Sequence, residues 1–197
     1  MIKLIKKFLL IPIVVLVISC DQPLNNKASS GEQVVVKVFS SLTCPHCADL
    51  HDKIFKDLER DFINNGLVKF EHESFPLDMA ALNAEKILRC GGSSKLNTKL
   101  LSELYEKQNK WAVGSDISII NESIKKIGSN FDLTNAQMDK CLLDKKLEDK
   151  ILNERVLAQK NYKISSTPTV YVNEKNMKAK KTIKPLRKLL KTFCNEI

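Results

Sequence analysis

The sequence predicts an α/β fold laid out as β-α-β, then an all-helical insertion, then β-β-α, and three observations carry that prediction. The apolar run Val34-Val35-Val36-Lys37-Val38-Phe39 leads into a helical stripe and then a second alternating segment. Strand signals vanish from about Pro76 to Lys163, where helical periodicity takes over. Strand character then returns at Thr169-Val170-Tyr171-Val172.

The elements follow in order. After Cys44, the residues Cys47, Leu50, Ile54, Leu58 and Phe62 form one helical face that stops at Asn64-Asn65-Gly66. From Leu67 to Phe75, Val68, Phe70 and His72 alternate with Lys69, Glu71 and Glu73, as a strand requires. This strand–helix–strand unit predicts a right-handed parallel crossover. In the insertion, helices are expected over Met79 to Cys90, Leu96 to Trp111 and Ile117 to Ile127, with stops at Gly91-Gly92 and Gly128. Thr134 and Gln137 are spaced as a capping box, opening one long helix to about Lys160. Beyond Val172, a turn is expected over Asn173 to Asn176, then a lysine-rich edge strand from Met177 to Thr182 and a last helix opened by Pro185. The sequence carries no internal repeat.

The first 33 residues read differently from the rest. Lys3, Lys6 and Lys7 precede an apolar stretch from Phe8 to Ile18, far short of the ~20 residues needed to span a bilayer. Residues 1–19 therefore read as a signal peptide. It ends in Val17-Ile18-Ser19-Cys20, which resembles the bacterial lipobox, and Asp21 after it resembles a signal for retention at the inner membrane. Cys20 is thus a candidate for lipidation, the alternative being an ordinary cleaved signal with a chance cysteine. Residues 20–33 are low in apolar side chains and read as a tether, leaving 34–197 as one domain with its insertion over about 76–163. The expected location is the periplasm, attached to the inner membrane through Cys20.

Net charge is +9, of which the three N-terminal lysines contribute three. The surplus gathers between Lys178 and Lys191 without interleaved aromatic residues, which argues against nucleic-acid binding and for a solvated face suited to an anionic membrane surface.

Cys44-Pro45-His46-Cys47 carries the chemistry. A CxxC that opens a helix directly after a strand sets two thiols on one face of the first turn, and Cys44 falls at the helix's positive end, where a thiolate is stabilised. Thr167-Pro168, just before the later strand, fits a cis-prolyl loop facing that dithiol, because cis bonds are nearly confined to X-Pro. Half of a zinc site is the competing reading, but tetrahedral zinc needs two more ligands at similar spacing and none appears. No metal or cofactor is expected. Export implies an oxidising compartment, so Cys90 and Cys141 are candidates for a structural disulfide, with Cys194 left over and Cys141–Cys194 an open alternative. His51 and His72 read as packing or surface residues.

The segments Ser41-Leu42-Thr43-Cys44-Pro45-His46-Cys47, Phe75-Pro76-Leu77-Asp78 and Thr167-Pro168 before Val170 resemble those of the thioredoxin fold with a helical insertion, specifically the DsbA-like thiol:disulfide oxidoreductases. The resemblance spans Val34 to Phe193. It implies an enzyme that introduces disulfides into exported proteins with free thiols and is itself reoxidised by a quinone-linked membrane partner. Cys44 and Cys47 would be its redox-active pair, Pro45 and His46 would tune them, and Thr167 with Pro168 would offer the substrate backbone a strand-like edge. Two positions depart from common patterns: Val38 stands where many thioredoxin-like proteins bury an acid, and Thr167 stands where several isomerases, rather than oxidases, carry threonine. A disulfide isomerase or reductase, or a copper-binding redox chaperone using the CxxC, are the alternatives. The copper reading lacks a methionine-rich motif, since Met79, Met138 and Met177 are scattered.

Overall fold

The computed structural model describes residues 33–91 and 94–177, with Lys188, Leu190 and Thr192 of the C-terminal segment. The signal, Cys20, most of the tether, the late edge strand, Cys194 and most of the last helix expected from the sequence lie outside these residues.

Four strands form one sheet in the order β2-β1-β3-β4. β1 (Val34–Ser40) pairs in parallel with β2 (Val68–Ser74), from Val34 opposite Val68 to Ser40 opposite Ser74. β3 (Thr169–Val172) runs antiparallel on the other side of β1, Val36 opposite Val172 and Phe39 opposite Thr169. β1 is flanked on both edges, which accounts for its nearly unbroken apolar sequence.

The crossover between β1 and β2 is a helical run of four pieces: α1 (Pro45–Leu50), a π-turn (His51–Phe55), α2 (Lys56–Leu58) and a second π-turn (Glu59–Ile63). The π-turns explain the spacing of its buried stripe. Leu50, Ile54, Leu58 and Phe62 recur every four residues, which in a 3.6-residue helix drifts by about 40° per step. Widening two turns holds the four side chains against Val34, Val36 and Val68 of the sheet. Gly66, at φ +72°, turns the chain into β2.

The insertion holds α3 (Met79–Leu88), α4 (Ser94–Glu106), α5 (Gln108–Trp111), α6 (Ile117–Gly128), a 3₁₀ turn (Ser129–Phe131), α7 (Asn135–Leu143) and α8 (Lys145–Tyr162). Two expected helices are each broken in two. The first breaks at Lys107, which frees the Gln108 side chain to turn toward the chain around Cys44. The second breaks at Asp144, whose backbone is extended and whose carboxylate caps α8 by accepting from Leu147 N at 3.1 Å. Lys86, 1 % exposed, secures that break: its ammonium donates to the Leu142 carbonyl at the end of α7 and pairs with Glu148 Oε2 at 3.0 Å in the first turn of α8. Thr134 and Gln137 cap α7 reciprocally, Gln137 Oε1 accepting from Thr134 N at 2.9 Å and Thr134 Oγ1 from Gln137 N at 3.3 Å.

Gly128 ends α6 for a steric reason. Its backbone stays right-handed helical, and the chain turns only at Asp132, φ +61°. A Cβ at Gly128 would lie 2.5 Å from Met138 Sδ, so α6 and α7 approach at the contact of a bare backbone. Gly128→Ala should therefore lower stability by about 1–3 kcal/mol through overpacking, seen as a lower urea midpoint with an unchanged slope.

A short strand follows β3 within the residues expected to form only a turn. Asn173 and Glu174 both take positive φ (43° and 64°), making a two-residue hairpin turn into β4 (Lys175–Asn176). Asn173 also clasps β1, donating its N–H to Val35 O at 3.0 Å and accepting from Val35 N at 2.8 Å through Oδ1.

Candidate active site

Cys44 caps α1 with extended backbone (φ −81°, ψ 116°), and Pro45 follows at the first helical position, where a missing N–H leaves nothing unsatisfied. The Cys44 carbonyl accepts from Cys47 N at 2.9 Å and Ala48 N at 3.2 Å, so both thiols belong to the same first turn. Both are free and buried, Cys44 7 % exposed and Cys47 2 %. Pro45 and His46 are exposed. The Thr167-Pro168 peptide is cis, and Cys44 Sγ lies 3.6 Å from the Thr167 carbonyl oxygen. The structure thus brings Cys44, Cys47, Thr167 and Pro168 together from the two ends of the domain.

Burial pushes the Cys47 thiol up to about 12, with neighbouring Cys44 adding to the rise. The Ser41 backbone and the Thr167 hydroxyl pull back only in part. Thr167 Oγ1 has no partner within ordinary hydrogen-bond distance, so its pull is a distant one. Cys47 is accordingly a thiol whenever it is not in a disulfide.

The chain around Cys44 is fixed by residues that motif reading did not single out. Gln108 Nε2 donates to Leu42 O at 2.7 Å and Cys44 O at 3.1 Å, satisfying two carbonyls from the insertion. Thr43 Oγ1 donates to Asp78 Oδ2 at 2.8 Å, while Asp78 Oδ1 caps α3 by accepting from Ala81 N at 2.8 Å. Gln108 carried no signal in the sequence; Asp78 did, as the cap before an apolar helix.

Beneath Cys47 lies a cavity of about 30 Å³ whose lining includes Val36, Val38, Ser40, His51, His72 and Tyr105. His51 is buried, stacks on Phe55 at 4.4 Å between ring centroids, and meets Ser102 Oγ at 2.9 Å. Burial holds its ring neutral, its pKa down at about 3. His72 is no surface residue either: it joins Ser40 to Glu85 across the fold.

Cys90 and Cys141 are bridged, with Cα atoms 6.0 Å apart and a sequence separation of 51. Cys141 is on α7, whereas Cys90 lies just past the end of α3 rather than within a helix. Closing a loop of that size contributes about 2–4 kcal/mol in the chain-entropy account. Among the described residues, no group of three or more His, Cys, Asp or Glu side chains is arranged to hold a metal, and no helix is long and apolar enough to cross a membrane.

A dithiol at the start of the helix after β1, facing a cis-prolyl loop before β3 in a β2-β1-β3-β4 sheet, defines a thioredoxin-fold protein. The thioredoxin family model matches residues 28–192, and the chain belongs to that family. It is 30% identical over 155 residues to a Rickettsia bellii protein named provisionally as a protein-disulfide oxidoreductase, covering 78% of this chain and 57% of that one. The chain spans little more than half the length of the rickettsial relatives it matches. Among solved structures, the fold is that of alpha-DsbA1 from Wolbachia pipientis, with a TM-score of 0.77 at 20% identity over 87% of this chain and 92% of that one. It is also that of a protein-disulfide isomerase from Novosphingobium aromaticivorans, with a TM-score of 0.73 at 18% identity over 86% and 96% of the two chains. The helical insertion within a thioredoxin-like fold expected from the sequence is therefore present.

Proposed function

We propose that this protein is an exported thiol:disulfide oxidoreductase that introduces disulfides into substrate proteins through Cys44 and Cys47. The observation that carries the reading is the Cys44 sulfur at a helix start, 3.6 Å from the carbonyl before a cis-proline. A substrate thiolate attacks Cys44 Sγ in the oxidised protein, forming a mixed disulfide and breaking the bond to Cys47, which leaves as thiolate and takes up a proton. A second substrate thiolate then attacks the substrate's own sulfur, closing its disulfide and releasing Cys44 as thiolate. Thr167 and Pro168 present the backbone edge along which the substrate chain lies, and Leu77 (49 % exposed) and Met79 (56 % exposed) beside Asp78 supply an apolar rim.

The names of the relatives support disulfide chemistry, and the Cys-Pro-His-Cys motif supports the oxidising direction. Export follows from the N-terminal segment, with Cys20 lipidated and residues 20–33 letting the dithiol reach substrates and a membrane reoxidase. A redox titration of Cys44/Cys47 against glutathione tests the direction. The expected potential is more oxidising than about −180 mV; a value near about −270 mV would instead mark a reductase.

A further inference from the structure

Every closure of the Cys44–Cys47 disulfide needs Cys47 as a thiolate, because the thiolate and not the thiol attacks. The structure makes that hard. Burial pushes the Cys47 pKa far above neutrality, so the group is held almost wholly as the thiol at pH 7. No carboxylate lines the cavity under it: β1 contributes Val36, Val38 and Ser40. His51 is already paired with Ser102 and is too weak a base to hold a proton at neutral pH.

A continuous polar chain nevertheless runs through the interior from that cavity. Tyr105, which lines the cavity together with Cys47, donates its hydroxyl to Ser40 Oγ at 2.9 Å. Ser40 Oγ meets His72 Nδ1 at 3.1 Å, and His72 Nε2 meets Glu85 Oε2 at 3.0 Å. Glu85 Oε1 accepts from Arg89 Nε at 3.1 Å, and the Arg89 guanidinium reaches Glu154 at 2.7 Å. The far end is open. A second cavity of about 220 Å³ is lined by His72, Glu85 and Arg89, whereas the first holds His72 and Cys47, so His72 borders both. Tyr105, Ser40, His72 and Glu85 come from four elements, α4, β1, β2 and α3.

We propose that Tyr105, Ser40, His72 and Glu85 form a proton path between Cys47 and solvent, with His72 as the group that holds the proton. It rests on the dithiol function proposed above and assigns the base that function requires. The Cys47 thiol gives its proton to the Tyr105 oxygen, directly or through one water that the 30 Å³ cavity accommodates. Tyr105 passes its own hydroxyl proton to Ser40, and Ser40 passes its proton to His72 Nδ1. The Cys47 thiolate attacks Cys44 Sγ in a mixed disulfide, forming the Cys44–Cys47 bond and expelling the partner's sulfur as thiolate. Two electrons leave the dithiol and reduce the mixed disulfide's partner. The His72 proton departs through the Glu85–Arg89 side. In the reverse direction the same groups protonate the Cys47 thiolate.

The charges around His72 suit a transient imidazolium. Glu85 faces it from α3, where burial raises its carboxyl but His72 and Arg89 outweigh that, so it stays ionised. Arg89 stands behind Glu85 and is offset by Glu154 of α8. His51 of the π-turn, held neutral, adds no repulsion. Glu71 and Glu73, its neighbours along β2, point to the opposite face with Lys37 of β1. At the other end, burial keeps Tyr105 protonated far above the ordinary range, next to Cys47 and Cys44.

The test follows the reduced protein mixed with oxidised glutathione, quenched in acid and resolved by intact mass. Formation of the Cys44–glutathione mixed disulfide depends on glutathione concentration, whereas its closure by Cys47 does not. Closure is compared from pH 6 to 9 in the unaltered protein, Tyr105→Phe and His72→Gln, each checked by its urea midpoint. The unaltered protein is expected to show a shallow profile. Both variants are expected to close at least tenfold more slowly at pH 7 and to gain about tenfold per pH unit, as hydroxide replaces the path. Variants that keep the shallow profile, or that are slowed by one factor at every pH as packing damage would do, overturn the proposal. A mixed disulfide that never closes in the unaltered protein overturns the dithiol function itself, and the path with it.

Discussion

Cys44→Ser is expected to abolish disulfide formation, leaving only the background rate of uncatalysed thiol exchange. Cys47→Ser should instead retain the first exchange and accumulate stable mixed disulfides with substrate proteins. The asymmetry follows from position. Cys44 is at the helix start beneath the cis-prolyl loop, whereas Cys47, 2 % exposed and pushed up to about 12, faces the interior. Non-reducing gels of each variant with a reduced, unfolded substrate read the result directly. High-molecular-weight adducts with Cys44→Ser but not with Cys47→Ser would reverse the two roles.

Glu85→Ala is expected to cost about 3–5 kcal/mol of folding stability. Glu85 is 2 % exposed and holds both His72 and Arg89, so its removal breaks two largely buried pairs at once, leaving His72 with Ser40 and Arg89 with Glu154. The pH dependence has a definite sign. Burial opposes ionisation of Glu85, but His72 and Arg89 more than compensate and leave its folded pKa below the ordinary carboxylate value. Its contribution is therefore complete above that ordinary value and is lost as pH falls through the depressed folded one. Glu85→Gln, which keeps the shape and some hydrogen bonding, should cost less and remove that part of the acid sensitivity. Urea melts at pH 7 and pH 4 check both points. A Glu85→Ala protein within about 1 kcal/mol of the parent would show that the network adds little.

Much of this was readable in the sequence because local rules and tertiary structure agree. Cys44-Pro45-His46-Cys47 after an apolar strand, and Thr167-Pro168 before another, are local patterns with few structural solutions. The polar chain was hidden because each member looks ordinary by itself. Ser40 ends a strand, His72 falls on the inward side of an alternating one, and Tyr105 belongs to an apolar helical stripe. Glu85 carried a partial hint, a carboxylate within a helix whose residues from Ala81 to Leu88 are all buried, though Asn83 and Lys86 share that burial. The breaks at Lys107 and Asp144 escaped notice because neither involves glycine or proline. Gln108, beside the first break, reaches the Leu42 carbonyl, and Lys86 holds the second break from another helix. The turn expected over Asn173 to Asn176 is confined to Asn173 and Glu174, tighter than the sequence suggests because glutamate is an unusual residue at positive φ.

The Gln108 clasp bears on modularity. Leu42, Cys44 and Cys47 share one apolar cluster with Leu104, Trp111 and Ile124, and two carbonyls of the dithiol loop find their donor in an amide from the inserted helices. Excising residues 76–163 and rejoining the ends would preserve every strand and both cysteines. It would also leave the Leu42 and Cys44 carbonyls without that donor and bare one side of the reactive turn. A miniaturised version of this protein would therefore inherit the motif without the scaffold that holds it. The insertion is a second parent of the dithiol's surroundings rather than an ornament on an older domain.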